Sequence, residues 1–163
     1  ILYFTVEDWL KNPKRILLDI QSKFFNHRNL AVRSSSQLED TPDTSMAGAF
    51  DSFLNVKTKN KRDINKAINN VISSFDDNPK NQVLIQPMVE NVAMSGVAMT
   101  KVLDDGSPYY VINFDDSSGK TDSVTSGSMV NKTVYIYNGV KNEYFDSQHL
   151  MIVLNLIKRL EKK

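Results

Sequence analysis

The segment with the clearest chemical potential is an arginine at the end of a short apolar run. Residues 30–32 have the composition of a buried strand, Arg33 follows them, and residues 34–36 are all serines. The arginine side chain presents five N–H donors in a planar fork and stays protonated at any working pH, so it suits the oxygens of a phosphate group. The serines add hydroxyl and backbone donors. The pattern suits a phosphate-binding arginine, but taken by itself an ion pair of Arg33 with Glu39 or Asp40 at the end of the strand explains it better.

Two further sets of residues could serve a phosphorylated ligand. Ala47 and Gly48 lie between a polar segment and a strand, where small side chains would let the backbone approach a phosphate closely. Asp115, Asp116 and Asp122 surround a Ser-Ser-Gly stretch, and carboxylate oxygens are the ligands that Mg²⁺ prefers. Taken singly, a plain turn and a solvated acidic loop explain the two sets at least as well.

Composition and motif content exclude several other classes of function. The chain has 20 Lys and Arg against 19 Asp and Glu, and its net charge of +1 gives no reason to expect nucleic acid or an anionic membrane as partner. It has no cysteine, two histidines far apart in the sequence, and neither of the two common glycine-rich phosphate loops. No apolar run approaches the roughly 18 residues of a membrane span. We therefore expect a cytoplasmic protein without thiolate or zinc chemistry.

Four helices would frame these residues. A capping box of Thr5 and Asp8 predicts the first helix, and an Asn-Pro pair at 12–13 predicts the second. The apolar spacing over residues 64–75 predicts a third helix, which we expect Asp63 to cap. Asp146 is the expected cap of the last helix.

The remaining apolar runs have strand character. We expect strands at 1–4, 30–32, 50–56, 83–89, 95–101, 109–114, 133–137 and 140–144. The segment 34–45 is polar and should be a loop, Pro87 should bend a strand or mark a sheet edge, and the Asn-Gly pair at 138–139 should close a hairpin. The order of elements predicts an α+β fold with a mixed, mostly antiparallel sheet and flanking helices.

Four stretches in chain order resemble one known family. They are LAVRSSSQLEDTPDTSMAGAFDSFLNV (30–56), VLIQPMV (83–89), SGVAMT (95–100) and GKTDSVTSG (119–127). They are similar to the motifs V-A-V-R-S-S-A-x-x-E-D-x-P-x-x-S-F-A-G-Q-x-x-T-F-L-N-V, V-x-V-Q-x-M-V, S-G-V-x-F-T and G-L-G-E-x-V-V-S-G of the nucleotide-binding domain of phosphoenolpyruvate synthase and pyruvate phosphate dikinase. That family has the ATP-grasp fold, two α+β lobes with ATP between them, and the resemblance implies this fold here.

The resemblance also assigns residues to the phosphates of ATP. It implies that Arg33 binds the phosphates and neutralises charge on the transferred group, with Ser34 beside it. The loop that contains Ser45, Ala47 and Gly48 would cover the phosphates. The family glutamine of this loop is replaced by alanine at position 49.

The adenine and the metal are assigned in the same way. Gln86 and the backbone around Met88 and Val89 would hold the adenine at the hinge between the lobes. Asp122 stands where the family has glutamate, so the resemblance implies Mg²⁺ or ribose binding there. Asp115 and Asp116 are candidates for additional Mg²⁺ ligands.

The reaction that the resemblance implies is phosphoryl transfer from ATP. The phosphate would pass through a phosphohistidine domain of the same full-length chain to a small-molecule acceptor, as in phosphoenolpyruvate synthase. We expect residues 1–163 to be a partial ATP-binding domain, without the family's N-terminal lysine segment and phosphohistidine domain, and inactive alone. INFDDSSGKTDSVTSG is similar to a divergent branch that includes bacterial kinases of an amino acid amide, such as the glutamine kinases of capsular phosphoramidate synthesis. A non-catalytic nucleotide-binding regulatory module is a third reading.

Overall fold

The computed structural model describes residues 1–35, 51–124, 132–140 and 147–162, together with the backbone of residues 40–41 and 44–45. The fold is α+β, as predicted, and all sheet pairings are antiparallel. The helices are α1 (Val6–Lys11), α2 (Pro13–Lys23), α3 (Lys61–Ser73) and α4 (Gln148–Leu160). The strands are β1 (Leu2–Thr5), β2 (Asn29–Ser35), β3 (Asp40–Thr41), β4 (Thr44–Ser45), β5 (Ser52–Lys57), β6 (Gln82–Pro87), β7 (Ser95–Met99), β8 (Tyr109–Asp115) and β9 (Lys132–Tyr137). The chain divides into an N-terminal unit, Ile1–Met88, and a C-terminal unit, Val89–Lys163.

The N-terminal unit is built on a four-stranded sheet in the order β1-β6-β2-β5. Alternate residues of its central strands are fully buried, because one face of the sheet packs against α2 and α3. The resulting core contains Ile20, Phe24, Leu30, Val32, Ile64, Ile68, Val71, Val83 and Ile85. Helix α1 joins this core through Trp9, whose indole N–H donates to Asn69 Oδ1 at 3.0 Å.

A bulge interrupts the pairing of β2 with β5. Leu30 pairs with Val56 while Val32 pairs with Phe53, so β5 contains one extra residue at this point. Asn55 takes the left-handed conformation there, with φ 59°, which asparagine tolerates better than most residues. The bulge restores the alternation that directs Phe53 and Val56 toward the core.

The C-terminal unit contains a three-stranded sheet in the order β7-β8-β9. Tyr110, Ile112 and Phe114 of β8 face one side, where Leu154 and Ile157 of α4 pack against them. The spacing of the apolar residues therefore fixes the side of the sheet that α4 covers. The turn between β7 and β8 contains Gly106 with φ 71°, as the sequence around it predicts.

Three helix starts test the capping predictions. The capping box is confirmed, with Thr5 Oγ1 accepting from Asp8 N at 3.0 Å and Asp8 Oδ2 accepting from Thr5 N at 3.1 Å. The prediction for α3 was wrong, because the cap is Asn60, whose Oδ1 accepts from the N–H groups of the second and third helical residues. The prediction for α4 was also wrong, because Ser147 Oγ accepts from Leu150 N at 3.3 Å.

The structure also corrects two strand predictions. Strand β2 continues through Ser35, so the first two serines after Arg33 belong to the sheet and not to a loop. Pro87 does not lie on an edge strand, because β6 is paired on both sides. It is tolerated as the last residue of β6, where β1 pairs no further than Ile85. Of the predicted second strand of the hairpin, residues 141–144 lie outside the described part.

Candidate functional site

Arg33 lies on a central strand of the N-terminal sheet, on the face opposite the helices. Its cross-strand partners are Ser52 on β5 and Leu84 on β6, whereas its neighbours Val32 and Ser34 point to the helix side. Among the residues that the structure describes, the buried Nε atom of Arg33 has no hydrogen-bond partner. None of the ion pairs among the described residues involves this arginine. The described residues therefore supply no acceptor for this buried cationic donor.

Gln86 lies on the same face of the sheet as Arg33. It pairs with Ala31, two residues before Arg33 on β2, while Leu84 pairs with Arg33 itself. Diagonal neighbours of this kind have Cα atoms about 7–8 Å apart and their side chains share one face. The structure thus brings together the arginine and the glutamine that the sequence assigns to phosphate and adenine.

The two serines after Arg33 point to opposite faces. Ser34 pairs with Val83, a fully buried core residue, so its side chain lies on the helix face, away from the guanidinium. Ser35 pairs with Gln82 and lies on the Arg33 face. Ser35 is therefore the better placed hydroxyl. The sequence could not distinguish it from Ser34, because a segment predicted to be a loop has no alternation of side chains. A nucleotide-binding role for Ser34 stays a prediction and would use its backbone.

The predicted phosphate loop is described only in part. The backbone of Ser45 belongs to β4, where it pairs with Asp40. Ala47 and Gly48 lie outside the described residues.

The two residues predicted at the hinge stand at the boundary between the units. Met88 ends the N-terminal unit, where its backbone N–H donates to Asn29 O at 2.9 Å, and Val89 begins the C-terminal unit and is exposed.

Asp115 is a buried carboxylate surrounded by serine donors. Its Oδ1 accepts from Ser117 N, Ser117 Oγ and Ser118 N at 2.9, 2.9 and 3.0 Å, and its Oδ2 accepts from Ser118 Oγ. These hydrogen bonds, with one that Ser123 contributes, hold the pKa of Asp115 far below its usual range. The carboxylate closes the turn after β8, a sufficient structural reason for its place in the sequence.

The three aspartates predicted to bind Mg²⁺ are not brought together. Asp116 accepts from Lys132 Nζ at 2.7 and 2.8 Å, whereas the Asp115 carboxylate is turned to the serines. Asp122 is exposed. Among the residues that the structure describes, no group of three or more metal-ligating side chains has the geometry to hold a metal ion. Mg²⁺ usually binds through one or two carboxylates together with phosphate oxygens and water, so its binding at Asp115, Asp116 or Asp122 stays a prediction.

The described part of the chain contains four helices. None of them is both long enough and apolar enough to cross a membrane.

Comparison with known proteins identifies the family. No curated protein sequence matches the chain significantly. The family model described as pyruvate phosphate dikinase, AMP/ATP-binding domain, matches residues 7–155. The match covers most of both units and includes Arg33 and Gln86. Hence this chain belongs to the pyruvate phosphate dikinase AMP/ATP-binding domain family.

Proposed function

We propose that the chain is the nucleotide-binding part of an ATP-dependent phosphotransferase and that Arg33 holds the phosphates of the nucleotide. The observation that carries this proposal is the buried Nε of Arg33, for which the described residues supply no acceptor. Arg33 lies on a central strand, and the domain of this family is described as AMP/ATP-binding. A buried donor without a partner costs about 1–3 kcal/mol. A phosphate oxygen would remove that cost when the nucleotide binds.

Position and charge suit Arg33 to phosphoryl transfer. Strand β2 is paired on both sides, so the guanidinium starts from a rigid backbone and little ordering is needed at the moment of reaction. Its positive charge would neutralise negative charge that develops on the phosphate during transfer, and arginines in this role contribute roughly 10³–10⁵ in rate. Ser35, on the same face, would add a hydroxyl donor.

Gln86 and the peptide groups of Met88 and Val89 would bind the adenine. A glutamine side chain offers both a donor and an acceptor, which adenine requires along one edge. Gln86 belongs to β6, and Met88 and Val89 follow directly after the end of this strand. Of the three, Gln86 lies on the same face of the sheet as Arg33. The loop with Ser45, Ala47 and Gly48 would close over the phosphates.

The phosphate would leave ATP and pass to a histidine in another domain of the full-length protein, and from there to a small-molecule acceptor. Arg33, Ser35 and Gln86 would bind and orient the nucleotide during the first transfer. We propose a pyruvate-type acceptor by analogy with phosphoenolpyruvate synthase, and an amino acid amide is the alternative.

Isothermal titration with ATP tests the role of Arg33. We expect Arg33→Met to weaken ATP binding by about 10–100-fold, since a charge-assisted hydrogen bond contributes roughly 1.5–3 kcal/mol. The ATP affinity of Arg33→Lys should lie between those of Arg33→Met and the wild type, because lysine keeps the charge but loses the planar fork. Arg15→Met is the matched control, since Arg15 is exposed on α2. An affinity of Arg33→Met within about twofold of wild type would refute the assignment.

A further inference from the structure

We propose that the N-terminal unit has a second phosphate-binding surface, separate from Arg33, for a small organic phosphate with a flat ring. The surface is formed by the loop between α2 and β2 and by the turn between β5 and α3. We call it the basic surface, and its six basic side chains are His27, Arg28, Lys57, Lys59, Lys61 and Arg62.

The basic surface concentrates positive charge in a chain that is almost neutral overall. Two adjoining grooves share Lys57 and Lys59, and no acidic residue of the described part of the chain lines either of them. All six basic side chains are exposed, and none of them takes part in the ion pairs found within the described ranges. The net charge of +1 therefore conceals a local excess of cations.

The stability of α3 does not explain these charges. Lys61 and Arg62 are the first two residues of the helix, where positive charge opposes the helix dipole. Acidic residues would stabilise the first turn, and only Asp63 supplies one there. Two cations at unfavourable positions indicate that something other than folding, such as an anionic ligand, accounts for them.

The two loops are fixed to each other before any ligand binds. The backbone N–H of Thr58 donates to Arg28 O at 3.2 Å, and the Thr58 carbonyl accepts from Gln21 Nε2 at 3.2 Å. Asn29 pairs with Lys57 at the end of the sheet, and Thr58 itself is 2% exposed. The backbone that carries the cations is therefore preorganised, which lowers the entropic cost of binding.

Shape and side-chain chemistry define the ligand. The grooves measure about 440 and 730 Å³, the range of small-molecule sites. Phe25 lines the smaller groove and is 69% exposed, so its ring is free to stack on a flat ring of the ligand. Asn26 and Asn29 offer amide groups in the same groove, while the arginine and lysines suit phosphate oxygens.

The basic surface is distinct from the phosphate end of the site proposed around Arg33. It adjoins the first residue of β2, Asn29, whereas Arg33 lies four residues further on, or about 13 Å along the strand. Strand β5 runs in the opposite direction, so Lys57 lies beside Asn29 and Ser52 lies beside Arg33. The two sites are therefore at opposite ends of one strand pair.

Amide chemical shifts of the ¹⁵N-labelled chain test this proposal. Pyrophosphate and AMP are titrated separately. We expect both to shift the amides of residues 25–29 and 57–62. The amides beside Phe25 should respond further to AMP, whose ring can stack on this side chain. The double variant Lys57→Glu/Lys59→Glu should weaken this response by at least about tenfold. The matched control, Lys14→Glu/Lys80→Glu, changes the same amount of charge at two other exposed lysines of this unit. It should stay within about twofold of wild type.

Other results would overturn the proposal. Equal losses in both double variants would mean a general effect of net charge. Shifts confined to the residues around Arg33, or no shifts at about 10 mM ligand, would mean that no second site exists. A response to a short oligonucleotide but not to pyrophosphate or AMP would assign the surface to nucleic acid instead. Because the amide shifts report each site separately, failure here leaves the ATP titration of Arg33→Met unaffected. Fluorescence of the buried Trp9 verifies that each variant is folded.

Discussion

Replacing Arg33 with methionine should stabilise the N-terminal unit in the absence of nucleotide. Methionine keeps the apolar stem of the side chain and removes the buried Nε donor that has no partner. Removing one buried unsatisfied group lowers the free energy of the folded state by about 1–2 kcal/mol. With a urea dependence of roughly 1–2 kcal/mol per M for a unit of this size, the unfolding midpoint should rise by about 1 M.

The single tryptophan of the chain makes this measurement specific to the unit. Trp9 is 3% exposed in the N-terminal core, so its fluorescence reports the unfolding of the unit that contains Arg33. Arg15→Met is the control, since the Arg15 side chain is 82% exposed and its Nε lies 3.8 Å from Asp19 Oδ2. The control should change the free energy of unfolding by less than about 0.5 kcal/mol.

Nucleotide should stabilise the wild-type unit more than Arg33→Met and so offset the advantage of the variant. Saturating ATP stabilises the wild-type unit by about 2.7 kcal/mol at one hundred times its dissociation constant, and this gain should be largely lost in Arg33→Met. If the variant were less stable than the wild type without nucleotide, Arg33 would have a structural partner in the fold, and the reasoning that assigns it to a ligand would be refuted.

Two other predictions concern the C-terminal unit. Gly96→Ala should destabilise it by about 1–3 kcal/mol, because an added Cβ would lie 2.4 Å from the backbone oxygen of Asn113. Gly106→Ala is the comparison, since a φ of 71° strains alanine there but no atom lies within 4 Å of the added Cβ. Amide hydrogen exchange in β8 measures the loss of protection. Equal losses in the two variants would contradict the close contact at Gly96. The depressed pKa of Asp115 predicts that its contribution to stability is complete above its unfolded pKa of about 4 and is lost as the pH falls below that value. Urea unfolding at pH 7 and pH 3 measures how much free energy of unfolding is lost in acid. This loss should be smaller in Asp115→Asn than in the wild type. An equal loss in both would show that the serine contacts of Asp115 do not control it.

Local sequence signals were sufficient for most of the helices and strands. The apolar spacing of α3 identifies the residues that are buried, because the helical period alone decides which side chains share a face. The capping box of Thr5 and Asp8 is confirmed because both partners lie within one turn. Asn60 and Asp63 are both good capping residues, so their sequence could not decide where α3 begins.

The sequence by itself determined the family motifs, the α+β class and the presence of an arginine suited to phosphate. Only the tertiary structure decided which side chains accompany that arginine. Strand register places Gln86 and Ser35 on its face and Ser34 on the other, because one residue along a strand reverses the direction of the side chain. The tertiary structure likewise pairs Asp116 with Lys132 of β9, which is 16 residues away in the chain. Such pairings depend on backbone geometry and on residues distant in the chain, which no local pattern of the sequence records.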